Sequence, residues 1–288
     1  MTGPRIYPCT WTLLPVMGPV EAARFAAQNG FQGLELNCDP INFWPGLIDA
    51  AVLDELVAIR DGEEIGYNFY GPFTLNAASP LPEERRSNDE LVRRSVDLAE
   101  RLASPLLCVH PGVVIELSSL ERKGVPFESP RFDRDRLLRH GGERAVEAIA
   151  RWADIAAQAG ITVAVENEVH TRHTAAPTAE SLAAMVEATG RSNVKVNFDT
   201  GHAYVGAGLE AEFGALSKHI AHFHMNDNKR KISEHLPLGE GAVDFASIAG
   251  FLATVDAALA LEIYAPERSV EATLASRDYL LKLFAEAG

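Results

Sequence analysis

Eight short apolar runs, each ending in polar residues, recur along the chain and alternate with segments of helical periodicity, a pattern that few folds accommodate. The runs lie at Arg5 to Leu14, 31 to 37 (FQGLELN), 64 to 70 (EIGYNFY), 105 to 110 (PLLCVH), 161 to 168 (ITVAVENE), 193 to 200 (NVKVNFDT), 219 to 227 (HIAHFHMND) and 258 to 264 (ALALEIY). Between them, Val92, Val96, Ala99 and Leu102 share one helical face, as do Val146, Ile149, Ala153 and Ala156. Leu182, Met185 and Val186 form another, with Thr178 placed as an N-cap and Gly190 just past the end. Nearly continuous apolar strands are what parallel strands covered on both faces require. The 288 residues suffice for the roughly 250 that eight strand-helix units occupy, so the pattern predicts an α/β chain forming one (β/α)8 TIM barrel over residues 1–288. An open doubly wound sheet is the alternative, but it calls for a Gly-rich phosphate fingerprint after the first strand, and none is there. The least regular stretch, Gly112 to about Leu138, reads equally as a lid over the barrel mouth and as a surface insertion.

Composition removes several function classes. A net charge of −14 repels a phosphate backbone, and the densest basic cluster is Lys229-Arg230-Lys231, so nucleic acid is not an expected partner. No stretch approaches the roughly 18 apolar residues of a membrane span, and the first residues lack the pattern of a signal peptide. Cys9, Cys38 and Cys108 are odd in number and far apart, which predicts free thiols in a reducing, cytoplasmic compartment.

In a parallel barrel the active site lies at the C-terminal ends of the strands, so the last polar residue of each run is the one to collect. Doing so yields Glu166, Asp199, His224 and Glu262 from four successive strands. Ala164, Asn197, His222 and Ala260 precede them by two residues on the same strand faces, so all four can point into one mouth. Taken singly, a strand-end carboxylate is usually an N-cap or a solvated loop group. Three carboxylates converging with an imidazole are different, because they repel one another unless a cation joins them. A mixed oxygen and nitrogen donor set suits one divalent ion, Mn²⁺, Co²⁺, Mg²⁺ or Zn²⁺.

With those ligands in place, the segments CVHPG (108 to 112), VENE (165 to 168), NFDTGHAY (197 to 204), FHMNDNK (223 to 229) and HLPLGEG (235 to 241) resemble the xylose isomerase-like TIM barrel superfamily. That superfamily holds sugar isomerases and epimerases together with endonuclease IV, and the resemblance runs from about Gly30 to Tyr264. Endonuclease IV enzymes use three metal ions, with a histidine after the third strand and an Asp-x-His pair after the seventh. Here the matching positions are Tyr70 and Ser233-Glu234-His235. The ligand sets for the first and third ions are therefore broken, while the central set of Glu166, Asp199, His224 and Glu262 is intact. The sugar and cyclitol isomerases, epimerases and keto-polyol dehydratases of the superfamily use that set for one ion.

The resemblance thus implies a metal-dependent isomerase or epimerase of a small-molecule sugar, cyclitol or related keto-polyol. Glu166 and Glu262 would exchange protons with carbons beside a carbonyl through an enediolate. His202 and Arg230 match substrate-binding positions of the epimerase branch, and His110 retains the fourth-strand histidine, free to contact substrate. Arg230 reads also as a solvated loop charge, and His110 as a hydrogen-bonded core residue. Phe43 and Trp44, after the second strand, are candidates to cover a sugar ring or to pack on the rim. Glu35 and Asn37 either contact substrate or satisfy loop backbone groups. His170, Arg172 and His173 offer a phosphorylated substrate a basic patch, or face solvent. Elimination from a keto-polyol at the same site is the second reading, and an abasic-site endonuclease or a non-catalytic metal-binding barrel the third. A homo-oligomer is compatible with each.

Overall fold

Each of the eight runs contributes one strand in the computed structural model, which describes residues 4–41, 43–168, 173–229 and 232–287. The strands are β1 (Arg5–Pro8), β2 (Gly33–Asn37), β3 (Gly66–Tyr70), β4 (Leu106–Val109), β5 (Thr162–Glu166), β6 (Val194–Asp199), β7 (Ile220–Met225) and β8 (Ala258–Leu261). Neighbours pair in parallel in the order β1-β8-β7-β6-β5-β4-β3-β2. A parallel bridge between Cys9 and Glu35 brings the two ends of that order together. With helices between successive strands, the architecture is a (β/α)8 TIM barrel.

Alternation along each strand divides the interior from the outer shell. Outward residues such as Leu107, Val163, Val165 and Val196 join one large apolar core with helix residues including Val92, Ile149, Trp152 and Leu182. Each large apolar side chain buried there contributes roughly 1.5–3 kcal/mol relative to exposure. Inward residues Leu106, Cys108 and Ala164 form a separate small cluster against Tyr70. The Thr178 hydroxyl accepts from Ser181 N at 3.2 Å, and the Ser181 hydroxyl accepts from Thr178 N at 2.9 Å, a capping box that starts the helix Ala179–Ala188. Gly190 follows with φ +63°, as its place past the helix end predicts.

Two segments differ from the sequence pattern. The first run continues to Leu14, but β1 stops at Pro8 and Thr10–Leu13 forms a helical turn. The Asn37 carboxamide oxygen accepts from Trp11 N at 3.1 Å and from the Thr10 hydroxyl at 3.2 Å, which bends the chain across the barrel mouth. The stretch after β4 is more regular than it reads: it holds the helix Ile115–Arg122 and opens the helix Arg134–Ala157, whose N-cap Asp133 accepts from Arg136 N at 2.9 Å. Val113 forms an antiparallel bridge with Thr174, so this stretch is tied to the loop after β5. No helix among the described residues is long and apolar enough to cross a membrane.

The lower interior is filled by one aromatic ring. Tyr7 is buried, and its ring occupies the space that side chains at positions 33 and 66 would need. A Cβ at position 33 would collide with the Gly66 carbonyl oxygen and the Tyr7 ring, and one at 66 would lie 2.6 Å from the Tyr7 hydroxyl. Gly33→Ala therefore overpacks the barrel floor against backbone as well as side chain. It should lower stability by roughly 1–3 kcal/mol, read as a lower urea midpoint with an unchanged slope.

Candidate active site

Parallel register sets the upper interior. Glu166 ends β5 opposite Asn197, Asp199 ends β6 opposite His224, and Glu262 follows the last residue of β8. One ligand atom from each of Glu166, Asp199, His224 and Glu262 lies within 4.8 Å of the others, and all four residues are buried. His224 is the hub: its Nδ1 is 3.1 Å from Glu166 Oε1 and 3.1 Å from Glu262 Oε2. Asp199 is held from two sides, with Oδ1 accepting from His202 N at 2.6 Å and Oδ2 from Asn226 Nδ2 at 2.7 Å.

Burial alone would raise the Glu262 and Glu166 carboxyls, but the His224 imidazole beside them holds both below the usual carboxylate range. Burial alone would lower His224, yet Glu262, Glu35 and Glu166 together push it well above an ordinary histidine. Asp199 is raised by burial, with Glu166 and Glu262 adding to the rise. The cluster is therefore an anion surplus around one imidazole, kept ionised by that ring's proton. The donor set fits a divalent cation, which would supply the missing positive charge and leave His224 neutral. Three other groups with metal-ligand spacing among the described residues each share a member with this one. Those groups are Glu35-His222-His224, Cys108-Glu166-His224 and Asp199-His202-His235. The Cys108 thiol is pushed up by burial and by Glu166, so it stays protonated and is a poor ligand.

A cavity of about 310 Å³ opens above the cluster, lined by Trp11, Tyr70, Phe73, His110, His202 and Glu262 among others. His202 Nδ1 lies 2.9 Å from the Asn167 carbonyl oxygen, which can only accept, so that nitrogen carries the proton. The Tyr70 ring meets His224 edge-on at 4.9 Å. Burial, with Glu166 next, holds the Tyr70 phenol protonated, and its hydroxyl is hydrogen-bonded to His110 Nε2 at 2.5 Å. His110 thereby sits between Tyr70 and the two glutamates of VENE, with Nε2 3.6 Å from Glu166 and Nδ1 3.7 Å from Glu168.

Other expected positions fall elsewhere. Phe43 packs on Phe69 at 5.6 Å in the apolar core, and the half-buried Trp44 is not among the residues lining the cavity. Arg230 lies outside the described residues, as do His170 and Arg172; His173 is described, its Nδ1 3.0 Å from Glu121 Oε2. Glu35 is fully buried against His222 and His224, away from the lining. Asn37 satisfies the Trp11 N–H and is also among the residues lining the cavity. Trp11 and His235 were not singled out as substrate contacts in the sequence. Trp11 packs its ring on His235 at 5.5 Å and Tyr264 at 5.9 Å, and the pattern hid it by running the first strand on to Leu14. His235 Nε2 is 3.5 Å from Glu262 Oε2, and Ser233 bonds to its Nδ1 at 3.0 Å.

The electrostatics make a pH prediction for metal-free protein. Burial would lower His235, but Glu262 raises it from 6.5 to about 9. A group whose folded pKa lies above its unfolded value stabilises the fold fully below the unfolded value, and that stability is lost as pH rises through the folded one. Chelator-treated protein should therefore lose melting temperature progressively between about pH 6.5 and about pH 9. In His235→Gln this slope should be shallower, as read by thermal melts across the same range.

Three comparisons bear on kinship. The "Uncharacterized protein MJ1311" of Methanocaldococcus jannaschii is 28% identical over 227 residues, covering 77% of this chain and 70% of that protein. The crystal structure of a D-tagatose 3-epimerase-like protein superposes with a TM-score of 0.78 at 23% identity, covering 99% of this chain and 100% of that one. The D-allulose 3-epimerase from Methylomonas sp. in complex with D-allulose superposes with a TM-score of 0.71 at 19% identity, covering 98% of each chain. The family model of the xylose isomerase-like TIM barrel matches residues 23–283, and the chain belongs to that family.

Proposed function

We propose that the chain is a divalent-metal-dependent isomerase or epimerase that moves a proton next to a carbonyl in a sugar, cyclitol or related keto-polyol. The observation that carries this reading is the pair of buried carboxylates, Glu166 and Glu262, set on strands β5 and β8 on either side of His224 beneath an open cavity. The similarity to sugar 3-epimerase structures is in keeping with it. Glu166, Asp199, His224 and Glu262 would hold the ion, one of Mn²⁺, Co²⁺, Mg²⁺ or Zn²⁺. The chemistry such an ion supplies is polarisation of the substrate carbonyl, which acidifies the neighbouring C–H.

The remaining work falls to side chains. One of Glu166 and Glu262 takes the proton from carbon, and the other, as its acid partner, returns a proton from the opposite direction. His202, with Nδ1–H fixed on the Asn167 carbonyl, offers Nε2 to a substrate hydroxyl. His110, hydrogen-bonded to the Tyr70 hydroxyl, is held at the wall of the same cavity as a second contact for substrate oxygen. Arg230 is assigned a fork of donors to substrate oxygens. The Trp11 face lends apolar cover to the ring's C–H surface. The filled position at Tyr70 supports one ion over three, and with it a carbonyl reaction over phosphodiester cleavage.

Protein loaded with Mn²⁺ or Co²⁺ should hold about one ion per chain by elemental analysis, the count that one shared ligand set allows. With a panel of ketoses and keto-cyclitols in D₂O, the parent should wash deuterium into the carbon next to the carbonyl. Glu166→Gln and Glu262→Gln variants that still hold metal should each lose exchange, by roughly 10²–10⁴-fold. Parent-rate exchange in both variants would move the acid-base role elsewhere. An unsaturated product would identify elimination. His202→Ala should raise KM or lower kcat with metal content unchanged.

A further inference from the structure

Directly beneath the proposed ion site, the barrel interior is polar where an apolar filling would be cheaper. Glu35 on β2 is fully buried, with Oε2 2.6 Å from His222 Nε2 and Oε1 3.1 Å from His224 Nε2. His222 Nδ1 lies 3.3 Å from Asn68 Nδ2, an amide that can only donate. His222 Nδ1 is therefore the acceptor, and its Nε2–H donates to Glu35, a chain that aims the carboxylate from β3 through β7 to β2. The Nε2 of His224 is buried and has no hydrogen-bonded partner, since its N–H is off the line to Glu35 although the two atoms are at ion-pair distance. The opposite ring nitrogen, Nδ1, faces Glu166 and Glu262.

We propose that Glu35, aimed by His222 and Asn68, is a positioning residue for the metal centre: it holds the proton of His224 on Nε2 and so presents Nδ1 as the lone-pair donor to the divalent ion. A metal-ligating histidine whose other N–H faces a carboxylate is fixed in tautomer and ring orientation and made a stronger base. The inference rests on the proposed ion site, and its test separates the two.

The test uses Co²⁺ alone, titrated into chelator-stripped protein. Glu35→Gln keeps the shape but removes the charge, and its Co²⁺ affinity should fall roughly 10–100-fold. Its metal-free form loses the buried charge facing His222 and His224 and should melt lower than the parent's, so the titration is run at a temperature where both are folded. In the Co²⁺-loaded parent, proton NMR should show a shifted, exchangeable ring N–H of His224 that is lost or exchanges faster in the variant, a change that a purely structural role for Glu35 would not make. Glu35→Asp, a methylene shorter, should lose less affinity and serves as the variant if Glu35→Gln does not fold. Parent-like affinity with an unchanged N–H resonance overturns the positioning role, and so does failure of both variants to fold without metal. A parent that binds no Co²⁺, or binds it equally in His224→Ala, overturns the ion site itself and this inference with it.

Discussion

The attraction between the His224 imidazole and the three carboxylates around it, Glu35, Glu166 and Glu262, is the interaction on which the interior depends. Each carboxylate is almost wholly removed from water, and none could remain ionised there without an opposite charge within a few ångströms. One protonated ring cannot neutralise three anions and Asp199 as well. A cation on the Nδ1 side would release the ring from that duty and let it act as a neutral ligand. A proton and a cation would compete for that nitrogen, and in metal-free protein Glu262, Glu35 and Glu166 favour the proton.

The surrounding barrel keeps this charge in place without supplying charge of its own. Its outer shell is a continuous apolar core between strands and helices, where packing fixes the backbone from which the polar side chains project. Inside, Asn68 and Asn197 are buried among the charged groups, and Asn197 Nδ2 reaches the Cys108 sulfur at 3.2 Å. Asp199 shows the coupling of backbone to site most directly, because its carboxylate also caps the helical turn Thr200–Val205 through His202 N. Removing that carboxylate would disturb a ligand, a helix start and the placement of His202 together.

The fold was legible because its signal is repeated: eight alternations of strand and helix leave little freedom of topology, and the strand ends follow from where apolar runs stop. Glu166, Asp199, His224 and Glu262 came from that rule alone. The Glu35-His222 pair did not, since β2 and β7 are 187 residues apart between these positions and meet only across the barrel axis. Trp11 was hidden for a local reason. TWTLL reads as a continuation of an apolar strand, and contacts from other strands, the Asn37 carboxamide on Trp11 N and the Leu261 carbonyl on the Thr12 hydroxyl, accompany its turn into a helix. The helix Ile115–Arg122 has a polar, short pattern whose single buried residue is Leu117, too little periodicity to separate it from a loop.

Tyr70 is where sequence and chemistry meet most closely. At a position where related trinuclear enzymes carry a metal-binding histidine, a phenol held protonated by burial and by Glu166 has a proton to give. Its hydroxyl is hydrogen-bonded to His110 Nε2, the imidazole that would share an ion with a histidine at this position. That hydrogen bond leaves the second nitrogen of His110 toward Glu168 and the cavity. If the mouth holds a single ion, the phenol at this position would bear on metal count and substrate recognition together, because its partner His110 lines the cavity.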